Sequence, residues 1–495
     1  MVGETATSIL LVLAVWIPAI LSVPIYLAGR YSEDLRNYLA VGSTVASFLL
    51  SLAMIPAVLG GTVLEFVLLP STVSPIPIEY MADPLGLLMA IMSSFAWMLA
   101  TIYSIAYMEP EHAKDRYYGF LILTFSSMMG VVLAKNLFTL YICFEILAIA
   151  SWVLVIHEET DEAMEAGKKY LFMGIGGGLF LLFAVVMTFI ESNVLDISRV
   201  GILQYNGWIT QAIFYSYIIG FGTKAGMFPM HVWLPDAHPI APSPCSALLS
   251  GVMIKAGAYG IIRTIYNIFG VPLIFRMNAH IVIAGFAGMA IILGSAVAIS
   301  QKLLKRMLAY SSISQMGYII LGSMFLTTRG LEGGILHLFN HILMKDALFL
   351  VAGALIFKTG KKNIDDFAGI GRKMPLSMLV FTVAALSMIG LPPFAGFISK
   401  WYLLLGALDA GTIALTFYVV VLLASSLMNA VYYMPIIIKA YFGVHEGEHE
   451  EVETDEAPLV MLIPMLILAL GVLLFGIFPN IPLALIRPAA KLMGM

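Results

Sequence analysis

Residues 221–238 read FGTKAGMFPMHVWLPDAH. Lys224 stands inside an apolar segment, Pro229 follows five residues later, and His231, Trp233, Asp236 and His238 cluster around and beyond it. Proline has no backbone N–H to give to a helix, so a helix through this stretch must break or kink near Pro229. Within lipid, a broken helix persists only where protein or water satisfies the backbone groups that the break frees. An ammonium at that depth is costly and by default marks an ion path. The stretch therefore predicts a membrane helix broken beside a buried, titratable amine. With it comes the expectation that the protein moves ions, protons above all, along buried charges.

Composition sets the class. Of the 495 residues, 60% are hydrophobic and 11% charged, with a mean hydropathy of +0.95; a soluble domain carries about 25% charged residues. The apolar runs are about 20 residues long, as helical spans require, and lack the roughly ten-residue alternation of an outer-membrane barrel. The expected fold is an all-α polytopic membrane protein of about fourteen transmembrane helices. The net charge of −4 gives no sign of nucleic-acid binding. Cys143 and Cys245 lie in apolar surroundings, and two thiols fall short of the about four that hold an iron–sulfur cluster. CxxC, zinc-finger and haem-attachment spacings are absent, so neither a metal nor a cofactor is expected in this chain. If redox chemistry is coupled to it, the electrons travel in partner subunits. The first apolar run lacks a basic leader and reads as a retained helix rather than a cleaved signal.

Span centres are expected near residues 18, 48, 95, 125, 147, 178, 218, 255, 286, 315, 344, 391, 425 and 468. Residues 60–81, broken by Pro and Ser, read as a short hairpin or extended segment outside the bilayer core. Fifteen of the 26 Lys and Arg fall in loops after odd-numbered spans, among them Arg36 and Lys305. Seven, including Arg263, fall in loops after even-numbered spans or in the tail. By the positive-inside rule the odd loops face the cytoplasm and both termini face outward, in a cell (cytoplasmic) membrane.

Lys224, Lys255, Lys345 and Lys400 are left inside expected spans. Lysine suits a group that changes protonation, because arginine stays charged in proteins. Snorkelling to an interface and structural ion pairs are the alternatives. The acidic partner expected is Glu145, in NLFTLYICFEILAIASW (136–152), paired with Lys224. In ILHLFNHILMKDALF (335–349), His337, His341 and Lys345 recur every four residues and share a helix face. Zinc is the first alternative there, but a third ligand is missing and a lysine is a poor neighbour for a cation. A proton relay fits better, with satisfied core histidines the plainer reading. A second break lies in SMIGLPPFAGFISKWYLL (387–404), where Pro392 and Pro393 precede Lys400. The lysine comes before the break in one segment and after it in the other, as an inverted repeat would arrange it. The expected organisation is residues 1–116, three helices with the hairpin-like segment; 117–270 and 271–441, two inverted five-helix repeats, each with a discontinuous helix; and 442–495, an acidic loop and a last helix. His231, Asp236, His238, Lys168 and Lys305 are candidates for a secondary relay. GIGGG (174–178) reads as close helix packing rather than a nucleotide loop.

Four motifs carry a resemblance: FEILAIASW (144–152), GTKAGMFPMHVWLPDAHPIAPSPCSALLSGVMIKAGAYG (222–260), LKRMLAYSSISQMGY (304–318) and GLPPFAGFISK (390–400). The sequence resembles the antiporter-like membrane subunits of Mrp-type Na+/H+ antiporters (the D type), of membrane-bound hydrogenases and related archaeal respiratory complexes, and of the proton-pumping part of complex I. The resemblance implies two inverted half-channels for protons. Glu145 and Lys224 match the family's carboxylate–lysine pair, Lys255 its central lysine and Lys400 its terminal ionisable residue. His337 and His341 fall at polar relay positions. Some complex I members have a glutamate where Lys400 stands, so this chain is more similar to the Mrp or hydrogenase version. No stretch here matches the long lateral helix of the largest complex I member. The partners implied are other membrane subunits of a hetero-oligomeric complex with a redox module, H+ with Na+ as the alternative ion, and the lipid bilayer. Alternating-access solute transport and a purely structural scaffold are the rival readings.

Overall fold

The computed structural model describes residues 4–70, 72–73, 77–205, 207–443 and 454–495. Most of the acidic stretch 445–456 lies outside the described residues; Asp455 and Glu456 are within them. Helices α1 (Leu10–Ala28), α2 (Glu33–Ala53) and the short α3 (Ile55–Leu59) open the chain. A small sheet of β1 (Thr5–Thr7), β2 (Val63–Leu69) and β3 (Ile78–Ala82) pairs β1 parallel and β3 antiparallel to β2. Strands β2 and β3 correspond to the stretch 60–81 expected to be a hairpin or extended segment, whereas β1 comes from the N-terminal residues.

Four helices follow: α4 (Pro84–Tyr107), α5 (Lys114–Val132), α6 (Leu137–Val155) and α7 (Asp161–Ser192). Helix α8 (Trp208–Ala225) stops before the short α9 (Leu234–Ile240). A π-helical segment, Leu249–Met253, joins α10 (Ser243–Leu248) to α11 (Ile254–Arg263), and a second one, Thr264–Phe269, completes the rod. After α12 (Val271–Arg276) come α13 (Ala279–Ile299), α14 (Leu304–Met324) and α15 (Thr328–Thr359). Past α16 (Ile370–Lys373), α17 (Pro375–Ile389) stops before α18 (Ala395–Asp409). The short α19 (Ile413–Thr416), α20 (Tyr418–Phe442), α21 (Leu459–Ile477) and α22 (Asn480–Leu492) complete the order. Helix α22 was not foreseen; the sequence reading allowed one helix after the acidic stretch.

Local chemistry explains the boundaries. Ser32, Asp83, Asn136, Thr160 and Thr327 each precede a helix and accept a hydrogen bond from a first-turn backbone N–H, which satisfies a donor the helix cannot. Helices α8 and α17 both end on a left-handed glycine, Gly226 at φ 65° and Gly390 at φ 95°. A residue with a Cβ resists that conformation. Pro229, and Pro392 with Pro393, then stand in the two gaps.

Among the described residues, nine helices are long and apolar enough to cross a membrane. Helices α5, α8, α14 and α15, with the α17–α18 pair, occupy the other expected positions. The rod from Ser243 to Phe269 is buried throughout, and α15 is buried from Gly330 to Leu355. These two make the centre of the protein. Small residues let its neighbours close in: a Cβ on Gly177 would meet Thr223 and the Gly220 carbonyl of α8, and one on Gly178 would meet the Glu145 carboxylate. Gly177 and Gly178 of the GIGGG run thus pack closely, while Gly174 and Gly176 face open space.

Arg263 departs from expectation. Rather than lying in a loop, it is buried in the last turn of α11. It makes a two-pronged ion pair with Asp83, Nη2 to Oδ1 at 2.6 Å and Nη1 to Oδ2 at 2.7 Å. The π segment beyond it prolongs the rod, so a residue expected at its end falls inside.

Candidate functional site

The first station surrounds Lys224, in the last turn of α8. Its Nζ is buried and donates to the Tyr170 hydroxyl at 2.6 Å and to Ser151 Oγ at 3.2 Å. The two hydroxyls are themselves 2.5 Å apart. The ammonium lies beyond the hydroxyl, 5.1 Å from the centre of the Tyr170 ring. Trp233, just past the break, packs edge-on against that ring and donates to the Thr223 carbonyl at 2.8 Å.

The expected direct pair of Lys224 with Glu145 is not formed. Glu145 is within electrostatic reach of Lys224, but its Oε1 is buried against α7 without a protein hydrogen-bond partner. Geometry gives the reason: Glu145 precedes Ser151 by six residues on α6, about 9 Å along the axis. The lysine is tied at the Ser151 level. A cavity of about 20 Å³, lined by Phe144, Ala148, Tyr170, Gly174, Thr223 and Lys224 among others, lies on this face; that volume admits about one water.

The central station gathers Lys255, Lys345 and a residue the sequence reading missed, Asp346. Lys255 follows the π-helical segment and donates to the Ser250 carbonyl, which the widened turn exposes. Single π turns of this kind recur at functional sites. Ser250 Oγ lies 2.6 Å from Ser312 Oγ. Asp346 is buried, packs its carboxyl against Gly251 of the same π turn and lies within electrostatic reach of Lys255. Neither of its oxygens has a hydrogen-bond partner among the described residues. Lys345 turns the other way, donating to the Leu308 carbonyl at 2.8 Å and to Ser311 Oγ, with the Tyr433 hydroxyl at 3.5 Å.

His341 and His337 lie along α15 with ring centres 6.1 Å apart. Neither nitrogen of His341 has a hydrogen-bond partner among the described residues. His337 Nε2 donates to Gln315 Oε1 at 2.8 Å, and its Nδ1 meets Ser399 Oγ at 2.9 Å. With both nitrogens engaged, His337 has no lone pair free for a metal. The third station follows directly. Lys400, next to Ser399, donates to the Met388 and Ile389 carbonyls at 2.7 and 3.1 Å and to Ser426 Oγ at 3.1 Å. Those carbonyls are the ones that the end of α17 leaves without helix partners. Tyr318 bridges the histidine and the lysine: its ring stacks on His337 at 5.3 Å and lies 5.1 Å from the Lys400 ammonium.

The secondary candidates divide. His238 is fully buried, stacks on Phe349 at 4.7 Å, has neither ring nitrogen bonded, and is within electrostatic reach of Lys305, Lys345 and Lys255. Lys305 is buried and donates to the Ala241 carbonyl at 2.7 Å. Asp236 instead belongs to an open cavity of about 580 Å³ lined by Glu162, Glu165, Lys169 and Arg306 among others; it pairs with Lys169 at 2.7 Å and Arg306 at 3.6 Å. His231 is partly buried and stacks on Phe228 at 5.4 Å. Lys168 is exposed, away from the buried stations.

Residues 134–427 match the protein family described as NADH:quinone oxidoreductase/Mrp antiporter, TM, and residues 69–118 match NADH-Ubiquinone oxidoreductase (complex I), chain 5 N-terminus. The chain belongs to this family. It is an antiporter-like, multi-pass membrane subunit of the kind found in complex I and Mrp-type complexes. It is 34% identical over 420 residues to NADH-quinone oxidoreductase subunit N of Desulforudis audaxviator (strain MP104C), covering 82% of this chain and 83% of that one. It is 28% identical over 512 residues to Na(+)/H(+) antiporter subunit A1 of Staphylococcus aureus, covering 97% of this chain but 63% of that longer relative. Among solved structures, a chain of the membrane-bound sulfane sulfur reductase, an archaeal respiratory membrane complex, superposes with a TM-score of 0.87 at 25% identity, over 98% of both chains.

Proposed function

We propose that this antiporter-like subunit carries protons across a cell membrane along a buried line of ionisable side chains. The observation that supports it most is the run from the central Lys255 and Asp346 through His341 and His337 to Lys400, with Lys224 as a separate buried amine at the other break. In this reading Lys224 is loaded near Ser151 and Tyr170, with Glu145 setting its proton affinity from a distance. Two unit charges 4 Å apart interact by about 4 kcal/mol at an effective dielectric of 20, and the wider Glu145–Lys224 separation makes the coupling weaker. His238, within electrostatic reach of Lys305, Lys345 and Lys255, extends the centre toward Lys305. The line reaches Lys400 through His337 rather than through Lys345, which forms a side branch toward Ser311 and Tyr433. The titrations along such a line are coupled, so its protons belong to the set rather than to single residues.

The fourteen-span topology with both termini outward belongs to the same proposal. Its support is that a helix or helix break lies at each of the fourteen expected centres. Two inverted repeats, 117–270 and 271–441, are supported by matching parts. In each set the third rod has 32 residues, α7 and α15, and the fourth is broken after a left-handed glycine and carries the terminal lysine. The segments 1–116 and 442–495 flank them. The partners we infer are further membrane subunits and a redox module. Na+/H+ exchange without redox chemistry is the second reading, supported by the similarity to the Staphylococcus aureus antiporter subunit.

The test is proton uptake by vesicles holding the intact complex, read with an internal pH dye, for wild type, Lys224→Ala and Lys400→Ala. Uptake should fall to background in both variants. Wild-type uptake in both rejects the line, and uptake that needs a Na+ gradient selects the second reading.

A further inference from the structure

Away from the buried line, the α4–α5 loop meets the end of α6. There Glu111, His112 and His157 each offer one ligand atom, and these atoms lie within 4.8 Å of one another. We infer that they form a binding site for a divalent transition-metal ion of the Zn2+ class. No sequence motif announces it, because the ligands come from two segments more than forty residues apart.

His157 carries the argument. It is 1% exposed, and its Nε2 has no hydrogen-bond partner among the described residues. Its ring is held by a hydrogen bond to the His112 backbone, by stacking on the His112 ring at 4.9 Å and by the edge of Tyr117 at 5.4 Å. A metal-binding histidine commonly has its other ring nitrogen fixed in this way.

The other two groups can close on it. His112 is exposed and Glu111 half-buried; Zn–N and Zn–O bonds of about 2.0–2.2 Å require only small swings of these side chains. Glu111 is also within electrostatic reach of the like charge of Glu158. A bound cation relieves that repulsion, and water can supply a fourth ligand. Arg116 opposes a cation here but is ion-paired with Glu159, and Lys305, within electrostatic reach of Glu111, opposes it too but is held by the Ala241 carbonyl. Two imidazoles and a carboxylate favour zinc over magnesium or calcium, which prefer all-oxygen sets.

The test uses the intact complex, stripped with a chelator and titrated with Zn2+ alone, with metal content and binding heat as readouts. Wild type should take up one more Zn2+ per chain than His112→Gln or His157→Gln, and each substitution should weaken that site at least tenfold. Glu109→Gln, at an exposed neighbour, should leave it unchanged. His112 is on the surface, so its variant reports even if His157→Gln fails to fold. Equal uptake by wild type and His112→Gln means an adventitious ion only and overturns the site, as does wild type that binds no Zn2+. The readout is metal content, so its failure is separate from failure of the proton line.

Discussion

Tyr170 accepts a hydrogen bond from Lys224 at 2.6 Å, with its hydroxyl 2.5 Å from Ser151 Oγ, the amine's other partner. A phenol is thus the lysine's nearest partner, in the place where a carboxylate was expected. Hydrogen bonds to charged groups contribute about 1.5–3 kcal/mol, enough to change proton occupancy of the amine about tenfold or more. Tyr170→Phe keeps the ring but removes the acceptor. Proton uptake by the reconstituted complex should drop about tenfold, with little change in thermal stability because Ser151 remains. If uptake matches wild type, Tyr170 is packing and not part of the station.

Asp346 makes a sharper case. An ionised carboxylate without hydrogen bonds is costly to bury, and stability alone gives no reason to keep it beside Gly251. Asp346→Asn should leave the fold as stable as wild type or more so, because a buried titratable group is lost. It should lower proton uptake by an order of magnitude or more. The informative combination is the two measurements together: a stable protein with normal uptake would remove Asp346 from the line.

These two residues also show what could be read in advance. Lys224, Lys255, Lys345 and Lys400 stand out because charges are scarce in apolar runs of span length, and the two breaks follow from proline chemistry. Tyr170 and Ser151 do not stand out, since such residues are ordinary in membrane helices and only depth selects them. Asp346 was overlooked beside Lys345. Adjacent helical residues point about 100° apart, so the two belong to different faces: Lys345 turns to α14 and Asp346 to the π turn. That turn has no simple sequence signature, and it is what brings Gly251 and the Ser250 carbonyl to the centre. Glu145 reads in the sequence as a buried carboxylate but is only partly buried, and a sequence gives no axial offset between helices, which is why its contact with Lys224 is not legible there.

Arg263 and Asp83 should behave as an anchor rather than a carrier. The guanidinium stays charged, and removing one member of a buried pair costs about 3–5 kcal/mol because the other is left uncompensated. Asp83 also caps α4 through the Gly86 N–H at 2.7 Å, so Asp83→Leu should be the more damaging single change. The double substitution Asp83→Leu with Arg263→Met should recover much of the loss from Arg263→Met alone. Thermal unfolding of the detergent-solubilised complex reads both effects; additive losses in the double variant would mean the pair is not coupled.

Gly390 joins the fold to the site. Its φ of 95° lies where a Cβ is strained, and a Cβ built there would stand 2.9 Å from Lys400 Cδ. Gly390→Ala should therefore cost about 1–2 kcal/mol for the backbone and also push the lysine stem away from the Met388 and Ile389 carbonyls. Gly226 has the same backbone hand at φ 65°, but its Cβ would meet Leu234 rather than Lys224. Gly226→Ala is thus the matched control, with backbone strain of the same kind and no displaced amine. The two variants should unfold at similar, lowered temperatures, while proton uptake per folded complex falls severalfold only for Gly390→Ala. Equal uptake in the two would show that the Lys400 position tolerates the shift, and that the glycine at the second break serves the backbone alone.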